Sequence, residues 1–204
     1  MSAETPRPRW FTDTKDDHSQ WFIDRFRAME AQGADLLGEA RFVDMMAPRG
    51  ARIVDAGCGL GRTAAALHEA GHEAYGLDVD PALIEAAQLD HPGPTYAVVD
   101  LAELTLRDVG DMPVDLVVCG GNVMVFLAPG TELRVLRNMC QVVFPGGRVV
   151  VGFRREETYP FEAYDADLAA LEAEGVAAVE ARYATWHLDP FEGGDFAVTV
   201  LRVL

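Results

Sequence analysis

Apolar residues recur along this chain with two different periods, and the alternation between them is the main structural signal. Trp21, Phe22, Phe26 and Met29 fall at helical spacing, and Leu36, Leu37, Phe42, Val43 and Met46 form a second such face that stops before Pro48. Short, nearly all-apolar runs then alternate with helical ones. Arg52 to Ala56 precedes a helix from Thr63 to Ala70 that ends at Gly71, and His72 to Leu77 precedes a helix opened by Asp80-Pro81 as N-cap and first-turn proline. Thr95 to Val99 and Val114 to Cys119 continue the strands, followed by a helix over Thr131 to Val143, a turn at Phe144-Pro-Gly-Gly and a fifth strand from Val149 to Phe153. Strands apolar on both faces and separated by helices predict a mostly parallel sheet covered on both sides. After a helix from Asp165 to Glu174, the segments Ala178 to Leu188 and Phe196 to Leu204 alternate about Glu192-Gly-Gly-Asp, which predicts a terminal antiparallel pair.

The same pattern divides the chain. Met1 to about Lys15 carries Thr5-Pro-Arg-Pro-Arg and no periodicity, so residues 1–16 read as a flexible tail, 17–48 as a helical cap and 49–204 as the main domain. At 204 residues and 50% hydrophobic, there is room for one full core. The 33 acidic residues outnumber the 17 basic ones, a net charge of −16 that opposes any phosphate backbone and favours a small-molecule partner over nucleic acid. No apolar run approaches membrane-spanning length and no secretory start is present, which points to a cytoplasmic protein, monomeric or homodimeric, with no membrane partner. Three cysteines without metal-ligand spacing argue against disulfides and against a metal site.

Chemistry concentrates at Ile53-Val-Asp-Ala-Gly-Cys-Gly-Leu-Gly61. An apolar strand ends in Asp55, and glycines at 57, 59 and 61 interrupt the chain before a helix begins. Such a turn exposes bare main chain and the free N–H groups of a helix start, a berth for a small charged ligand. The dinucleotide fingerprint places its third glycine five positions after the first, where Arg62 stands here, so a nicotinamide site is disfavoured. Asp78 lies roughly twenty residues past Gly57 at the end of the second strand, where a carboxylate accepts hydrogen bonds from ribose hydroxyls.

The string VDAGCGLG resembles the first motif of class I S-adenosylmethionine-dependent methyltransferases. Asp100-Leu-Ala-Glu after the third strand is similar to the motif that places an acid near the adenine amino group, and FPGGRVVVGF resembles the segment after the fourth motif. The resemblance runs from about Arg52 to the C-terminus, and small tellurite-resistance-type enzymes share the compact length and the N-terminal Trp/Phe helix. It implies a Rossmann-like α/β/α sandwich with seven strands, the last inserted beside the fifth, and an N-terminal helical cap over the substrate pocket. It also implies S-adenosylmethionine as cofactor, S-adenosylhomocysteine as product and a small-molecule methyl acceptor. Under it Gly57, Gly59 and Gly61 approach the methionine portion, with Cys58 a small filler among them, and Asp55 and Arg62 shape the turn. Asp78 and Val79 take the ribose, and Asp100 and Leu101 take the adenine. Gly120 and Asn122 line the loop after the fourth strand.

On the acceptor side the expected residues are Trp21, Arg25, Met124, Arg154 and Arg155, with His18 the nearest candidate for a general base because imidazole titrates near the working pH. Two other readings stay open at this stage. One is a non-catalytic module that binds S-adenosylmethionine or S-adenosylhomocysteine; the other is a nucleotide-dependent oxidoreductase.

Overall fold

The apolar run Arg52–Ala56 forms strand β1, and the sheet grows outward from it. The computed structural model describes residues 6–15 and 17–204, so the parts of the expected tail at positions 1–5 and 16 lie outside the described residues. Seven strands pair in one sheet: β1, β2 (Glu73–Asp78), β3 (Thr95–Val98), β4 (Val114–Cys119), β5 (Val143–Arg154), β6 (Ala177–Tyr183) and β7 (Phe196–Val203). Their order is β3-β2-β1-β4-β5-β7-β6, parallel as far as β5, with β7 antiparallel beside it and β6 at the edge. The expected insertion of the last strand beside the fifth is therefore present, and the sheet is open. The strand order reverses between β1 and β4, and the crevice at the carboxyl ends of these strands is where open α/β sheets hold ligands.

Eight helices accompany the sheet among the described residues. They are α1 (Arg9–Thr12), α2 (His18–Ala31), α3 (Gly38–Met46), α4 (Arg62–Glu69), α5 (Pro81–Asp90), α6 (Val123–Phe126), α7 (Glu132–Gln141) and α8 (Phe161–Ala173). None is long and apolar enough to cross a membrane. Two apolar clusters cover the two faces of the sheet. One joins Val54, Val117, Val149 and Val151 to Leu136 and Met139 of α7, and the other joins Ile53, Val118 and Val150 to Leu67 of α4 and Phe42 and Val43 of α3.

Two expectations fail locally. Phe144-Pro-Gly-Gly is not a free turn: β5 begins at Val143 and runs through it, with the ladder slipping between Val114 and Leu116 of β4 to absorb the irregular stretch. The expected tail is helical at Arg9–Thr12, because Arg9, half-buried and paired with Glu132 at 2.9 Å, and Trp10, bonded to Asp80 at 2.8 Å, tie it to the domain.

Candidate cofactor and acceptor site

At the tip of β1 the chain turns sharply and enters α4. Gly57 has φ +78°, and a Cβ there would overlap the Val123 side chain, so glycine is required both for the backbone and for the space. Asp55, buried, accepts from Ala64 N–H at 3.2 Å and ties the strand end to the first turn of α4. Its carboxyl is pushed up to about 7, first by burial and then by the nearby charge of Glu39. Arg62 opens α4, donates to the Leu36 carbonyl at 2.9 Å and lies 4.5 Å over the Phe26 ring, which fastens the turn to the N-terminal helices.

Asp78, at the tip of β2, is 8% exposed and faces the turn. One carboxylate oxygen accepts from Gly59 N–H at 2.9 Å and the other from Asp80 N–H at 3.0 Å, which leaves a lone pair on each. Burial raises this carboxyl to about 6, while the backbone N–H groups of Asp80, Gly59 and Val79 pull against the rise. Asp80 caps α5 through Ala82 N–H at 2.9 Å, the simpler structural role, and also accepts from Trp10 Nε1 at 2.8 Å and from the Ser19 hydroxyl.

A cleft lies between these tips. Its floor is Gly57, Gly59, Asp78 and Val79; one wall is Leu83, Asp100 and Leu101, and the other is Gly121, Val123, Phe126 and Leu127. Pro8, Trp10 and Phe22 form the roof. Asp100 also accepts from Ala102 N–H at 2.9 Å, and so caps the short helical turn Leu101–Glu103. A second hollow adjoins the first through Phe22, Gly57, Gly59 and Gly121, and adds Phe26, Glu39, Asp55, Cys58, Arg62 and Gly120. The pair fits an adenosyl-sulfonium guest. The first cleft offers apolar walls with the carboxylates of Asp78 and Asp100 among them, and Gly57 and Gly59 bring main chain to its lining.

Several expected site residues are placed elsewhere. Gly61 borders neither hollow; its missing side chain makes room for Tyr96, whose hydroxyl donates to the Gly61 carbonyl at 3.2 Å. Met124 is fully buried in the core, because α6 turns its first-turn side chain inward while Val123 and Phe126 face the cleft. The Asn122 side chain accepts from Arg154 N–H at 2.8 Å and so joins α6 to β5 instead of facing a ligand. Arg154 pairs with Asp195, and Arg155 N–H donates to the Asp195 carbonyl at 2.7 Å; both arginines are exposed and line neither hollow.

On α2 the residues that face inward are Phe22, Ile23 and Phe26, so Trp21 and Arg25, four apart, stack on each other at 5.2 Å on the outer face, with Trp21 51% exposed. His18 lies against Trp10 at 4.6 Å and Trp21 at 5.3 Å, and borders neither hollow. It packs between the two indoles. Cys58 faces the second hollow with its thiol pushed well up by burial, as a small filler would be.

The roof residues Trp10 and Phe22, and Glu39 and Trp186 beside the second hollow, carry no motif. For Trp10 a signal was present: Pro8 ahead of Arg-Trp-Phe-Thr is a helix-start proline followed by two aromatics, too apolar for a solvated tail.

Comparison with known proteins agrees with this geometry. Residues 53–147 match a methyltransferase domain family. A solved TehB-like SAM-dependent methyltransferase from Corynebacterium glutamicum is 36% identical, with 93% of this chain and 100% of that chain covered and a TM-score of 0.84. Two more distant structures share the fold. CalS10, an amino pentose methyltransferase from Micromonospora echinaspora, is 17% identical over 88% of this chain and 96% of its own, with a TM-score of 0.67. Magnesium protoporphyrin IX methyltransferase from Synechocystis, solved with bound SAM, is 18% identical over 92% and 80%, with a TM-score of 0.62. No protein of curated function matches the sequence. With a bare glycine turn under a buried acid, this sheet order and a relative at 36% identity over its full length, the chain belongs to the class I S-adenosylmethionine-dependent methyltransferases.

Proposed function

We propose that the chain transfers the cofactor's methyl group to a small molecule that enters the second hollow, with the adenosine held in the first cleft. The observation that carries this reading is Asp78: a carboxylate 8% exposed, at the floor of the cleft, with a free lone pair on each oxygen beside bare main chain. Ribose hydroxyls are the guests that such a group accepts from. Val79 and Leu83 then flank the sugar, Leu101 lies against the adenine face and Asp100 accepts from its amino group. The cofactor supplies an electrophilic methyl on a positively charged sulfur. What remains for the protein is to hold donor and acceptor in line and keep water out, which placement alone accomplishes without a nucleophile or a metal step.

Pro8, Trp10 and Phe22 serve exclusion, since they roof the cleft from outside the sheet. The roof also supports a small acceptor. A polymer would have to pass under α1 and α2, and a chain of net charge −16 offers phosphate no welcome.

Isotopically methyl-labelled cofactor, incubated with the protein and a total cell extract, tests the acceptor class. Label is expected in the low-molecular-weight fraction. Label confined to RNA or protein would overturn the small-molecule reading while leaving the cofactor site intact.

A further inference from the structure

The second hollow is acidic and aromatic, and that combination names a class of guest. We propose that Glu39 selects the methyl acceptor, and that the acceptor is a small amine with an apolar body. The proposal rests on the cofactor occupying the first cleft. Glu39 sits in the first turn of α3, half-buried, and reaches over the carboxyl end of β4: a Cβ on Gly120 would lie 3.2 Å from Glu39 Cγ, 3.7 Å from its Oε1 and 3.4 Å from Trp186 Cζ2. Since Gly57, Gly59 and Gly121 border both hollows, a guest beside Glu39 is also beside the methionine end of the cofactor.

Glu39 has no ion-pair partner among the described residues, and the cations near it are engaged. Arg41 pairs with Asp35 at 2.7 Å, and Arg62 is held by the Leu36 carbonyl and the Phe26 face. Asp55 lines the same hollow, and the charge on Glu39 helps to push its carboxyl up to about 7. Two carboxylates facing one hollow repel each other, and a cation between them relieves the repulsion where an anion or an alcohol does not.

Phe22 and Phe26 supply apolar walls. Trp186 stands behind Gly120 and outside the lining, its indole seated where a side chain on Gly152 would stand and packed edge-on to Phe42 at 5.5 Å. The Phe22 and Phe26 surfaces suit a compact hydrocarbon body.

The chemistry balances. The bound ammonium gives one proton to Glu39, and the freed nitrogen lone pair forms the new bond to the methyl carbon as the carbon–sulfur bond breaks. The bonding pair stays on sulfur, which becomes the neutral thioether of S-adenosylhomocysteine. Glu39 returns its proton to solvent, and the product leaves as a methylated ammonium.

Calorimetry on the protein loaded with S-adenosylhomocysteine tests this with phenethylamine and its isosteric alcohol 2-phenylethanol. The amine is expected to bind at least about ten-fold more tightly than the alcohol, the scale of a hydrogen bond to a charged group. In Glu39→Gln that preference should disappear, while affinity for S-adenosylhomocysteine changes less than about two-fold. Equal binding of amine and alcohol, or a preference that survives in Glu39→Gln, overturns the proposal. So does a variant that loses affinity for S-adenosylhomocysteine but keeps it for 5′-methylthioadenosine, which lacks the amino-acid end; Glu39 would then serve the cofactor's own ammonium. If the wild-type protein binds neither nucleoside, the cofactor reading itself falls, and the proposal with it.

Discussion

The two hollows sit side by side on one sheet edge yet are built in opposite ways. The floor and one wall of the cofactor cleft come from the turn from β1 into α4 and the acids that end β2 and follow β3, between residues 52 and 101, and side chains of α1, α2 and α6 close the rest. The second hollow takes Phe22, Phe26 and Glu39 from helices before the sheet begins and sets them over Asp55, Cys58 and Arg62 of the turn. A site made of backbone has few ways to change without being lost. One made of side chains from distant segments is free to vary with the acceptor while the donor end stays fixed.

If the main-chain half is as intolerant as it looks, Gly57→Ala should have the largest effect. A methyl group there meets Val123 and holds a residue with a side chain at φ +78°. Backbone strain and overpacking each cost about 1 to 3 kcal/mol, so urea denaturation should show a loss of about 2 to 6 kcal/mol. Adding Val123→Ala should recover the packing part and leave the backbone part. Full recovery would mean that the turn needs space and not glycine's freedom.

Asp78 comes next. Asp78→Ala should weaken binding of S-adenosylhomocysteine by about 1 to 3 kcal/mol, the cost of leaving hydroxyls without a charged acceptor, with little change in fold. Its titration sharpens the test. Burial raises the free carboxyl to about 6, and ribose donors favour the ionised form, so the bound value is lower and binding releases a proton. Affinity should therefore climb as pH rises toward about 6 and level off above it, and Asp78→Asn should flatten that part of the profile. Asp55, raised to about 7, remains in the variant and marks its own window. Stability of the ligand-free protein runs the other way. Both acids are protonated more readily when folded than when unfolded, so their contribution is full below the ordinary carboxylate range and is lost as pH rises through about 6 and 7. Thermal melts across that range check the sign.

The same division explains what could be read from the chain. The sheet, its strand order and the donor end follow from local signals, since the period of apolar residues, the glycine spacing and an acid at a strand tip all lie within a few residues of one another. The acceptor side has no such signature. Arg154 and Arg155 stand at the right strand end, but Asp195, brought across beside the β5–β7 pairing, takes the Arg154 side chain, while Arg155 is exposed and borders neither hollow. Trp21 and Phe22 are adjacent in a helical pattern, and only the direction in which α2 packs decides that Phe22 enters the site while Trp21 stays in solvent. Pro8 and the two aromatics after it signal the helix of Trp10, but only the bond to Asp80, seventy residues away, puts Trp10 over the cleft. Each of these is decided by contacts between residues far apart in sequence.

Trp10→Phe probes the roof with a smaller effect. It keeps the ring and removes one hydrogen bond, the 2.8 Å donation to Asp80, so it should raise the dissociation rate of S-adenosylhomocysteine by an amount equivalent to about 0.5 to 1.5 kcal/mol. Stopped-flow displacement reads this directly. An unchanged off-rate would show that α1 stays in place without its anchor.

Arg154→Ala should do least, and its smallness is informative. A guanidinium needed to hold an acidic acceptor would cost far more than a surface pair when removed. Arg154 is 51% exposed at its side chain and already paired with Asp195, an arrangement worth about 0 to 1 kcal/mol in stability. The strand end keeps its tie without the side chain, because the bond from Asn122 reaches the backbone N–H of Arg154. Turnover should therefore match the wild type once an acceptor is found, with a slightly lower melting temperature. A raised KM for that acceptor with an unchanged melting temperature would move the cation into the acceptor site and reverse the electrostatic contrast, with an anionic guest where the acids of the second hollow argue for a cationic one.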